Sequence, residues 1–119
     1  MNDQEFIARQ QELYSQLGTA LFDMLDPKYK DQWKEIALHV ERIGEGMPFR
    51  FIYKVTMTLQ DGFSLPLIAR PAVIAVTDSL DRLAQERSGK AWNQLDYRLY
   101  QEADGPAFEC RFGYPQPVH

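Results

Sequence analysis

The chain of 119 residues carries 13 Lys and Arg against 17 Asp and Glu, a formal net charge of −4. That length suits one domain, and the acidic balance excludes the basic footprint that non-specific nucleic-acid binding needs. Hydrophobic residues at 45% and charged residues at 25% exclude a disordered chain, and fifteen aromatics can fill one core.

Phe6, Leu13, Leu17, Ala20, Leu21 and Met24 recur at helical spacing and predict an amphipathic first helix. Asn2 or Asp3 suits its cap, and Glu5 its first turn. Gly18 costs about 1 kcal/mol inside a helix, which points to a close contact or a break. Asp26-Pro27 is expected to end the helix, because the residue before proline avoids the α region.

From Trp33 the period changes to two. Ile36, Leu38 and Val40 alternate with Glu35, Ala37, His39 and Glu41, the pattern of a half-buried strand. Gly44 to Pro48 breaks the chain. A second strand then places Phe49, Phe51, Tyr53, Val55, Met57 and Leu59 on one face. Asp61-Gly62 is a hairpin turn pair, and Phe63, Leu65 and Leu67 form a short return strand. Pro66 lies within that strand and predicts a sheet edge, where a missing donor does no harm.

Pro71 to Ser88 reads as a second helix with Val73, Val76, Thr77, Leu80 and Ala84 inward. Pro71 suits its first turn and Gly89 the position after its end, while Asp78, Asp81, Arg82, Gln85 and Glu86 are expected to face water. Trp92 precedes a strand with Leu95, Tyr97 and Leu99. A turn at Asp104-Gly105-Pro106 leads to a last strand with Phe108, Cys110, Phe112 and Tyr114 on one face. The expectation is an α+β domain spanning 1–119, with its core over about 5–114 and a frayed tail at 115–119. Helix, three-stranded meander, helix and hairpin give an antiparallel sheet of about five strands with both helices on one face.

Little in the chain points to catalysis. Any Ser-His-Asp or Cys-His arrangement has to be built on His39, since His119 ends the chain and Cys110 falls on an apolar face. One cysteine cannot form an internal disulfide. No Cys/His spacing suits zinc and no Gly-rich loop precedes a helix, so neither a metal, a cofactor nor an enzymatic role is expected. The first residues are acidic where a signal peptide is basic, and no apolar run approaches the ~20 residues of a transmembrane helix. A cytoplasmic location without membrane or nucleic-acid contact is the expectation.

What remains is the uncovered sheet face. By alternation it carries Glu35, His39, Glu41, Arg50, Lys54, Asp96, Arg98, Glu102, Glu109 and Arg111, a mixed-charge surface. Acidic residues with aromatic neighbours are the candidate contacts for a protein partner: Glu35, Glu41, Asp61, Asp96, Tyr100, Glu102 and Asp104.

Several segments carry a family resemblance. The first helix closes on Leu21-Phe22-Asp23-Met24-Leu25-Asp26-Pro27, a tryptophan leads the strand Trp33-Lys34-Glu35-Ile36, and an aromatic strand Phe49-Arg50-Phe51-Ile52-Tyr53 follows. Trp92-Asn93-Gln94-Leu95 and the hairpin around Asp104-Gly105, closing on Phe112-Gly113-Tyr114, complete the pattern. In element order and aromatic positions over about 5–114 the chain resembles the YezG-like family of bacterial immunity proteins, or antitoxins. The resemblance implies a non-enzymatic inhibitor that binds the C-terminal toxin domain of a secreted effector used in interbacterial competition, in many cases a nuclease. The thirteen Lys and Arg dilute any anionic face and argue against a purely electrostatic, nuclease-mimicking mode.

Two other readings compete. A small-molecule or enzymatic α+β domain needs polar groups turned inward, for which Gln10 on the first helix is the best sign. An assembly adaptor or homodimer would use the edge strand with Pro66, against which that proline and Arg70 argue.

Overall fold

The alternating apolar positions pair into one antiparallel sheet in the computed structural model, which describes residues 2–43 and 50–114. The elements are α1 (Asp3–Phe22), a 3-10 turn (Pro27–Tyr29), β1 (Trp33–Ile43), β2 (Arg50–Leu59), β3 (Ser64–Leu67), α2 (Pro71–Ser88), β4 (Gln94–Glu102) and β5 (Gly105–Gly113). Strand order is β3-β2-β1-β4-β5, so β1 is central and pairs with both β2 and β4. This is the expected α+β order, with the Pro66 strand at one edge. The break at Gly44–Pro48, the strand start at Phe49, the side chain of Arg50, His119 and the tail at 115–119 lie outside the described residues.

Asn2 caps α1, its side chain accepting the Glu5 N–H at 2.8 Å. The helix ends at Phe22, earlier than the proline signal indicates, and Asp26 instead caps the 3-10 turn that starts at Pro27. Met24 and Leu25, beyond the helix, are still buried. α2 spans the predicted residues, and Gly89 closes it with φ +71°, a conformation that favours glycine.

Both helices cover the same sheet face. Tyr97 and Leu99 of β4 lie against Gly18 of α1, while Tyr53 of β2 meets Thr77 of α2. Through β1 these strand residues share one side, since Leu38 is opposite Tyr97 and Val40 opposite Tyr53. The helices run antiparallel, Asp3 at the start of α1 pairing with Arg87 at the end of α2. Leu13, Leu17, Leu21, Val73 and Leu80 meet Ile36, Leu38, Val40, Val55, Met57 and Leu95 in the core. Trp33 and Trp92 are buried at its margins, Trp92 packing between Phe51 and Phe112 at 5.5 and 5.9 Å.

Gly18 marks a close contact. A Cβ there would stand 2.9 Å from the Tyr97 hydroxyl, which donates to the Tyr14 carbonyl at 2.9 Å. Burial holds the Tyr97 hydroxyl well above the usual phenol range, so it remains a donor.

One charged position departs from expectation. Asp81 does not face water but is 6% exposed, accepting from Arg42 at 2.6 Å and Gln85 at 2.9 Å. Arg42 follows the inward parity of Val40, its Nε donates to the Trp92 carbonyl at 3.0 Å, and its guanidinium lies over Phe51 at 4.8 Å. Helical periodicity put Asp81 on the polar side because it could not register a cation arriving from β1. Among the described residues, no helix is long and apolar enough to cross a membrane.

Candidate functional site

Among the described residues nothing covers the sheet face away from the helices, and strand register arranges its side chains in rows. Thr58, Glu35, Tyr100 and Ala107 form one row; Thr56, Ala37, Arg98 and Glu109 form the next. Lys54, His39, Asp96 and Arg111 form the third, and Ile52, Glu41, Gln94 and Gly113 the fourth. Small Ala37 leaves a shallow concavity of about 400 Å³ bordered by His39, Lys54, Asp96, Arg98, Glu109 and Arg111.

His39 is the hub of this surface. Its Nδ1 lies 2.6 Å from Asp96 Oδ1 and its Nε2 3.5 Å from Glu41 Oε1, while Gln94 donates to Asp96 Oδ2 at 2.7 Å. Arg98 meets Glu35 at 2.7 Å and stacks over the Tyr100 ring at 4.4 Å, so Tyr100 is half-buried beneath a cation rather than bare. The strand backbones fix these positions, which makes the array preorganised.

The hydrogen bond to Asp96 raises the His39 pKa above the usual histidine value, against a smaller opposing effect of burial. Partial burial pushes the Asp96 carboxyl up, but hydrogen bonds from Gln94 and His39 and the charges of His39 and Arg111 outweigh it, leaving a net depression. A raised histidine contributes fully below its ordinary pKa and loses that contribution as pH rises through the folded value. A depressed carboxylate contributes above its ordinary pKa and loses that as pH falls through the folded one. The pair is therefore strongest at mildly acidic pH. Replacing His39 by Gln should cost under about 1 kcal/mol near pH 6, because solvent screens a half-exposed pair, and the gap should close by about pH 9. Urea unfolding at both pH values measures it, and the ring titrations of the chain's two histidines report the shift directly.

Chemically the arrangement orients an imidazole between two carboxylates and sets the thiol apart from it. Nε2 faces a carboxylate, and Cys110 lies on the helix-covered side, half-buried, with burial pushing its thiol up to about 12. Among the described residues no cluster of three His, Cys, Asp or Glu side chains is placed to hold a metal ion.

Of the candidate contacts, Glu35, Glu41, Asp96 and Tyr100 share the open face, with Glu35 directly opposite Tyr100. Glu102 and Asp104 are exposed at the β4–β5 hairpin, and Asp61 in the β2–β3 turn accepts the Phe63 N–H at 2.9 Å. Both turns close the same end of the sheet, beside the start of β1. Sequence reasoning put His39, Lys54, Arg98, Glu109 and Arg111 on this face but missed His39 as its centre. The missing signal was the register of β1 on β4, which no local pattern carries.

No protein-family model and no curated protein sequence matches the chain.

Proposed function

We propose that this chain is a cytoplasmic immunity protein that binds the toxin domain of a bacterial effector and neutralises it by direct protein–protein inhibition. The carrying observation is that one whole face of a five-stranded sheet is left open by both helices and holds an ordered array of charges. A rigid surface of this kind suits a standard interface, which buries roughly 800 Å² on each partner. The helix–meander–helix–hairpin order that underlies the YezG-like resemblance is also the order of the folded chain.

The face mixes Lys54, His39, Arg98 and Arg111 with Glu35, Glu41, Asp96 and Glu109. It selects a partner by charge pattern rather than by net sign. A uniformly basic nuclease surface is a poor match, and a toxin presenting its own alternating charges is a good one.

The test is co-purification with an inactivated toxin domain from the neighbouring reading frame, followed by growth protection against the active form. The expected result is a one-to-one complex that persists at high salt. Charge reversal on the face, Lys54→Glu with Arg98→Glu, should weaken it tenfold or more, whereas Gln16→Arg on exposed α1 should not. Failure of every neighbouring product to bind would sink the immunity reading. Loss of binding from the α1 variant alone would move the interface to the helix layer.

A second reading, small-molecule binding, draws on the concavity beside His39 and Asp96, whose volume of about 400 Å³ suits a ligand. The pocket at Gln10 holds only about 110 Å³, below the range of ordinary ligand sites. A ligand retained through purification and released by Asp96→Ala would favour this reading.

A further inference from the structure

The two edges of the sheet are unequal. β3 is four residues long and interrupted by Pro66, which blunts it against further pairing. β5 runs nine residues, and among the described residues nothing pairs with its outer side. We propose that β5 pairs antiparallel with β5 of a second copy, joining two sheets across a two-fold axis at Cys110.

The backbone sets the parity. Pro106, opposite Gln101, has no N–H and belongs at a position whose polar groups point away from β4. Alternation then turns the N–H and C=O groups of Phe108, Cys110 and Phe112 outward, each able to exchange hydrogen bonds with a new strand.

The side chains select the register. With the axis at Cys110, Phe108 lies opposite Phe112 of the second copy, and Glu109 opposite its Arg111, each pair occurring twice by symmetry. Glu109 and Arg111 are exposed on the open face, so opposite charges meet there. Shifting the axis to Glu109 or to Arg111 sets like charges against each other. On the helix side, Phe108 is 37% and Tyr114 45% exposed, and Phe108 borders a groove of about 350 Å³ between α1 and β5. Pairing covers this apolar margin, which otherwise stands beside an unpaired edge. Because the proposal concerns the chain alone, it stands or falls apart from any toxin.

Strand addition makes a small interface, so micromolar dimerisation is expected. Sedimentation velocity from about 1 to 100 µM should show a monomer–dimer equilibrium in that range. Glu109→Arg and Arg111→Glu should each weaken it roughly ten- to a hundredfold, since two attractive pairs become repulsive. Combining the two reversals should restore the dimer. Circular dichroism of all three variants checks that the fold persists, because Glu109 also faces Arg98 and Arg111 faces Asp96 within one chain. A wild type that stays monomeric throughout overturns the proposal. So does a dimer indifferent to both single reversals, or a folded double variant that remains monomeric.

Discussion

Asp81→Ala is expected to lower stability by about 3–5 kcal/mol, the scale measured when one member of a buried ion pair is removed. Asp81 and Arg42 have side chains 8% and 10% exposed and meet at 2.6 Å, in a region that also holds Trp92 and Phe51. Without the carboxylate, a buried guanidinium keeps its desolvation cost and loses a charge that compensates it at 2.6 Å. The pair also ties the end of β1 to the middle of α2, so the loss should loosen α2 on the sheet. For a domain whose whole margin is about 5–15 kcal/mol, that is a large fraction. Urea unfolding measures it. Removing both charges, with Arg42→Met and Asp81→Leu, should recover most of the loss, because apolar pairs of similar volume often replace buried ion pairs without penalty. If Asp81→Ala costs under about 1 kcal/mol, the pair is effectively solvated and its assigned role is wrong.

Gly18→Ala should destabilise by about 1–2 kcal/mol, although alanine favours a helix by about 1 kcal/mol. The new methyl would stand 2.9 Å from the Tyr97 hydroxyl, and that hydroxyl cannot simply retreat, being buried and hydrogen-bonded to the Tyr14 carbonyl. In a Tyr97→Phe background the obstructing oxygen is gone, and the next atoms, Leu99 Cδ1 at 3.7 Å and Tyr97 Cζ at 4.0 Å, are at ordinary contact distance. Gly18→Ala should then stabilise by up to about 1 kcal/mol, through propensity alone. The reversal of sign is the diagnostic, read from a double-mutant cycle in thermal or urea unfolding. Equal effects in both backgrounds would show that the tyrosine hydroxyl is not what keeps position 18 bare.

These two sites mark the limit of what local pattern carries. The glycine was visible in the sequence as an anomaly inside an amphipathic stripe, but its reason lies in β4, many residues away. Asp81 was read as solvent-facing because its helical position allows it. Arg42 arriving from β1, together with Gln85 one turn along α2, makes its burial tolerable. The open face shows the same division. Period-two alternation placed Glu35, His39, Asp96, Arg98 and Arg111 on one side of their strands, yet said nothing about which residue meets which.

The sequence by itself determined the elements and their faces. Asn2 and Gly89 mark helix ends, Asp61-Gly62 a turn, Pro66 an edge, and alternating apolar residues the inward side, because capping, turn and burial preferences act within a few residues. Tertiary structure decided the rest. The chain crosses from β3 over α2 to set β4 beside β1, which brings His39 to Asp96, Arg98 to Glu35 and Arg42 to Asp81. Those pairings join residues far apart in the chain. They follow from burying two helical stripes on one sheet face, a requirement of the whole core that no local window contains.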